Sequence, residues 1–136
     1  MKKLVLLSVF ILTVCFTYGQ KLQKDGVVCI HTLTVNLNQD VSMSQYLAVL
    51  EDKLIPVYEK LAECKIFITK GLNRETEGQY GMIYVYKSKD VFNTYWQDDG
   101  SPTEKGDDVI KKLQPAIDEL NQLGTLNVIV NDWAIK

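Results

Sequence analysis

The sequence predicts an α+β fold in which strand, helix and strand are written twice, giving a four-stranded antiparallel sheet with its helices on one face. Three observations predict it. A β-branched run, Val27–Leu37, opens the order. Two amphipathic helical stretches follow Ser42 and Ser88. Two further apolar strands lie between those stretches, and a last one follows them. Right-handed crossovers then leave few arrangements other than the ferredoxin-like βαββαβ.

The N-terminal residues stand apart from this fold. Lys2 and Lys3 precede an almost unbroken apolar run from Leu4 to Val14, and Thr17-Tyr18-Gly19 carries small residues where a signal peptidase reads. The run is shorter than the roughly 20 residues of a membrane-spanning helix. Met1–Gly19 therefore reads as a cleaved secretory signal, which predicts an exported, periplasmic or secreted protein with no membrane partner after cleavage. Cys15 leaves a lipoprotein as the alternative, although Val14 stands where such sites take Gly or Ala. Residues 20–136 form one domain of ordinary size.

Losing Lys2 and Lys3, and no acids, moves the formal charge from −2 to −4. Phosphate backbones need a basic face, so nucleic acid is not an expected partner. Two cysteines remain, Cys29 and Cys64. They begin the first and second strands, which a third strand separates. Next-but-one strands are roughly 10 Å apart, so both thiols are expected to be free and buried. One histidine without clustered cysteines predicts no metal site, and no cofactor is expected.

In Val27–Leu37 the odd residues Val27, Cys29, His31, Leu33, Val35 and Leu37 form the more apolar face, with His31 at its middle. Ser42 and Gln45 have capping-box spacing at the start of the first helix. Pro56 should kink or divide that helix, because its ring blocks a backbone hydrogen bond. Cys64–Gly71 and Tyr80–Tyr86 are strands joined by a polar connection. Ser88 opens a short helix that Asp98-Asp99-Gly100 interrupts. Ser101-Pro102-Thr103-Glu104 restarts it with a cap and a proline at the first helical position. Pro115 should bend this helix, Gly124 should end it, and Leu126–Ile135 is the last strand. The bare sheet face would carry Ile83 and Val85. An apolar uncovered face predicts a partner, most simply a second copy of the chain.

Nucleotide-loop, zinc-protease and serine-hydrolase signatures are absent. His31 remains the one group suited to proton transfer near neutral pH. From residue type alone it is either a functional group or a core histidine satisfied by a carbonyl or hydroxyl.

The stretch Ile30-His31-Thr32-Leu33-Thr34-Val35, followed by Gln39-Asp40-Val41-Ser42 and a capped helix, resembles the stress-responsive dimeric α+β barrel proteins. The resemblance continues through Tyr84-Val85-Tyr86-Lys87-Ser88 to Tyr95 and extends to the antibiotic-biosynthesis monooxygenase-like proteins that share the barrel. It implies a homodimer closed through two sheets. It also implies a pocket between sheet and helices in which the first-strand histidine acts, as in the plant polyketide cyclase members. By position, His31 would be the catalytic residue. Leu33, Val49, Leu50, Met82, Tyr84, Tyr95 and Trp96 would line a site for a small hydrophobic or aromatic ligand. Those cyclases carry a second histidine after the helical tyrosine, where this chain has Gln97-Asp98-Asp99. Three functions are expected on these grounds: a ligand-binding protein, a cofactor-independent monooxygenase- or cyclase-like enzyme using His31 as general acid or base, or a non-catalytic stress or assembly protein.

Overall fold

The computed structural model describes residues 22–72 and 75–136. The expected signal segment and Cys15 lie outside them. Strand β1 (Val27–Leu37) is central, flanked by β3 (Tyr80–Tyr86) and β4 (Gly124–Ala134), with β2 (Cys64–Lys70) beyond β3. Every neighbouring pair is antiparallel. This is the ferredoxin-like α+β arrangement.

Register decides which side chains share a face. His31 lies opposite Met82 on β3 and Val130 on β4, and Cys29 lies opposite Tyr84 and Asp132. Cys64 and Ile66 of β2 align with Tyr86 and Tyr84. The odd residues of β1 therefore join the tyrosines of β3 beneath the helices. Val27, Cys29, Leu33, Cys64, Ile66, Met82, Tyr84 and Tyr86 are all buried there. Cys29 and Cys64 are both unpaired.

The opposite face carries Ile30, Phe67, Ile83, Val85, Ile129 and Trp133. On it Phe67 is 49% exposed, Trp133 61% and Ile129 66%. Among the described residues no helix covers them.

Four α-helical segments close the other face: α1 (Met43–Val49), α2 (Ile55–Ala62), α3 (Lys89–Tyr95) and α4 (Glu104–Leu123). The Ser42 hydroxyl accepts from the Gln45 N–H, and the Gln45 side chain accepts from the Ser42 N–H at 2.8 Å, completing the capping box. Pro56 does not break the chain. A π-helical turn, Leu50–Leu54, joins α1 to α2, and the Ile55 N–H reaches back to the Leu50 carbonyl. Pro56 has no N–H to give, and the wider turn absorbs the mismatch within a continuous helical path. The extra residue also rotates α2 by about 100°, which sets the direction of Tyr58.

The second helical region departs from expectation at its start. Ser101 is occupied by the Asp99 carboxylate, through its hydroxyl at 2.6 Å and its N–H at 2.9 Å. Pro102 forms a bridge to Trp96. The cap is therefore Thr103, whose hydroxyl accepts from the Gly106 N–H at 3.2 Å. Gly106 is needed there, because a Cβ would stand 2.1 Å from the Tyr95 carbonyl oxygen. The helix runs unbroken past Pro115, which is exposed, so the carbonyl deprived of its donor can turn to water. Gly124 has an extended backbone and begins β4 directly, two residues before the expected start. A Cβ on it would lie 2.6 Å from the Asn36 carbonyl, so close approach, not a left-handed turn, calls for glycine.

Candidate functional site

Two cavities meet at His31 and Tyr84. The first, about 230 Å³, is lined by Cys29, His31, Tyr58, Tyr84, Tyr86, Phe92, Trp96, Gly100, Val130 and Asp132. The second, about 140 Å³, runs the other way along β1 beside Leu33, Tyr46, Leu50, Leu54 and Met82, under Ile117 and Leu120 of α4. A larger concavity of about 590 Å³ lies at the β2 edge among Glu59, Lys60, Glu63 and Lys65, and it does not reach His31.

The first cavity is an aromatic chamber. His31 and Tyr84 have ring centroids 4.5 Å apart, and Tyr58 meets Tyr84 edge-on at 5.4 Å. Tyr86 meets Phe92 edge-on at 5.3 Å. These are the offset and edge geometries that ring quadrupoles favour. At one end the Trp96 indole N–H donates to the Tyr86 hydroxyl at 3.0 Å, and that hydroxyl shares a 3.3 Å hydrogen bond with Tyr58. Among the described residues the Tyr84 hydroxyl has only a weak acceptor, the Met82 sulfur at 3.7 Å.

Unlike those groups, the His31 imidazole has no hydrogen-bond partner among the described residues. No buried side-chain nitrogen or oxygen there lacks a partner. The ring nitrogens of His31 therefore keep open surface, which the two cavities supply.

Electrostatics favour neutral groups throughout. Burial lowers the His31 pKa below its ordinary value, opposed by the negative charge of Asp132. Burial raises the phenols of Tyr58, Tyr84 and Tyr86 far above their ordinary range, so all three act as neutral hydroxyls. Burial, and then hydrogen bonding to the Asp132 carboxylate, raises the Cys29 thiol. Cys64 is pushed up to about 12, chiefly by burial. Neither cysteine is a thiolate nucleophile at neutral pH.

The expected site residues separate into two groups. His31, Tyr84 and Trp96 meet in the larger cavity, while Leu33, Leu50 and Met82 join His31 and Tyr84 around the smaller. Val49 and Tyr95 line neither. Val49 is packed in the core. Tyr95 is 1% exposed, and its hydroxyl donates to Glu63 at 2.9 Å, turned away from the cavity by the end of α2.

Tyr58, Tyr86, Phe92 and Asp132 were not anticipated from the sequence. Asp132 left a readable signal, because Leu126, Val128 and Val130 alternate along β4 and a carboxylate then ends their apolar face. Among the described residues no cluster of His, Cys, Asp or Glu could hold a metal ion, and no helix is long and apolar enough to cross a membrane.

No protein-family model matches the chain, and no curated protein matches it in sequence. Solved structures similar to it include SnoaB, a cofactor-independent oxygenase from Streptomyces nogalater. It is 15% identical, with 79% of this chain and 91% of that one covered and a TM-score of 0.47. A dimeric ferredoxin-like protein from an uncultured marine organism is 16% identical, with 81% and 89% covered and a TM-score of 0.48. A dimeric protein of unknown function and ferredoxin-like fold from Bacteroides fragilis is 14% identical, with 78% and 96% covered and a TM-score of 0.42. Likeness of chain path at such identities carries no information about ligand or reaction.

Proposed function

We propose that the protein binds a small, flat, mostly apolar organic molecule in the aromatic cavity between sheet and helices, with His31 as its polar contact. One observation supports this above the rest: the imidazole opens onto that cavity without a hydrogen-bond partner among the described residues. A histidine that only fills a core normally meets a carbonyl or hydroxyl. A mostly apolar chamber with few converging polar groups suits a ligand. Titration calorimetry with 2-naphthol tests the reading. Saturable binding is expected, weakened about tenfold or more in His31→Ala, the scale of one lost buried hydrogen bond with its packing. Absence of saturable binding to the folded protein would favour a non-catalytic stress or assembly role instead.

The lowered pKa of His31 favours a second reading, cofactor-independent catalysis. A neutral imidazole at pH 7 can take a proton from a bound substrate. Turnover of a hydroxyarene whose acid limb disappears in His31→Ala would support it, and binding without turnover would leave the first reading.

We propose further that the protein is a homodimer, the bare face of one sheet packing on that of a second copy. Ile30, Phe67, Ile129 and Trp133 would otherwise remain an exposed apolar surface. Export through the Met1–Gly19 segment completes the proposal, tested by the N-terminal mass of the protein recovered outside the cytoplasm.

A further inference from the structure

The aromatic cavity holds a carboxylate and neither lysine nor arginine, and burial holds its one imidazole, His31, toward the neutral form. Asp132 sits on the helix-side face of β4, opposite Cys29 and two residues beyond Val130, the residue opposite His31. The register sets the carboxylate beside the Cys29 thiol, whose proton it holds, and its negative charge acts on His31. Among the described residues no lysine forms an ion pair with it. The loop that contributes Gly100 also carries Asp98 and Asp99. Asp98 has Lys89 at 3.6 Å, whereas Asp99 is engaged only by Ser101. Asp132 is therefore the one acidic side chain lining the chamber among the described residues.

Ring faces attract cations through their quadrupoles, and an uncompensated carboxylate beside them adds Coulomb attraction. The same field repels an anion. We infer that the cavity selects an organic cation, an amine or quaternary ammonium on a small apolar body, with Asp132 as the specificity-determining contact. The inference rests on the ligand-pocket reading above and adds the charge of the ligand. Asp132 is exposed, so its attraction is that of a solvated charge and weakens with salt.

Calorimetry at low salt and pH 7.5 compares three probes of similar body: benzyltrimethylammonium, benzyl alcohol and phenylacetate. None of them changes protonation at that pH. The ammonium should bind about tenfold more tightly than the alcohol, and phenylacetate most weakly, on the scale of one cation–π site with a carboxylate. Asp132→Asn should erase the preference for the ammonium and leave the alcohol within about twofold, as expected when only a charge is removed. Asp132→Lys should move the preference toward phenylacetate. Binding of all three probes with equal affinity, phenylacetate binding tightest, or unchanged selectivity in a folded Asp132→Asn would each overturn the inference while leaving the pocket. Failure of every probe to bind would overturn the pocket reading together with the inference. If the variants do not fold, the order of the three probes on the unaltered protein decides by itself.

Discussion

Both faces of the sheet carry apolar side chains, but they treat aromatic rings differently. Beneath the helices, Tyr58, Tyr86 and Trp96 satisfy one another through hydroxyl and indole groups, and their rings meet at set angles around a void. On the bare face, Phe67 and Trp133 stand exposed. Mutual hydrogen bonding keeps the first set in fixed geometry, as recognition of a small molecule requires. The second set offers area without built polar contacts, which suits burial against a broad apolar surface. One alternation of side chains thus separates the two proposed roles across a single layer of backbone.

The largest effect expected on this contrast is on the helix side. Tyr86→Ala would remove a ring that is 1% exposed and strip the hydrogen bonds of Trp96 and Tyr58. A loss of about 3–5 kcal/mol in urea unfolding is expected, the range for large aromatic truncations. On the bare face, Trp133→Lys should leave protomer stability within about 0.5 kcal/mol. It should weaken self-association on the order of 30-fold, as loss of a large interface aromatic does. Sedimentation at several concentrations reads the association. If that variant lowered protomer stability as far as Tyr86→Ala does, the contrast between the faces would be lost.

The smallest effect is electrostatic. His31 has a folded-state pKa below its ordinary 6.5. In the window from about 6.5 down to that lowered value, the unfolded chain takes up a proton that the folded chain refuses. Stability from this group is therefore full above 6.5, falls as pH drops through the window, and levels off below it. Unfolding at pH 7.5 and 5.0 should show this slope in the native protein, and it should be shallower in His31→Gln. An equal slope in both would mean that other groups carry the pH dependence.

Much of the fold was legible because local signals agreed with one another. The period of two in Val27–Leu37, the Ser42–Gln45 box and the Tyr80–Tyr86 alternation each specify an element without distant help. Helix starts were less legible where side chains compete. Ser101 looks like a cap until Asp99 claims its hydroxyl, and the helix then begins from Thr103. The site was half legible. The period of two puts His31 on the helix-side face, whereas Tyr84 and Trp96 enter the site through the family resemblance. Tyr58 could not, because its direction depends on a π-helical turn before Pro56. Tyr95 looked equivalent to Trp96, but the end of α2 offers it Glu63 and draws its hydroxyl away.

The sequence by itself determined the strand–helix order, the two free thiols and the faces of each strand, since these depend on side-chain period and on distances within a sheet. Only the tertiary structure decided which polar groups converge. Asp132 reaches the chamber through the antiparallel register of β1 and β4, which brings residues from opposite ends of the domain onto neighbouring strands. That pairing is a long-range choice of the whole chain, and no local pattern encodes it.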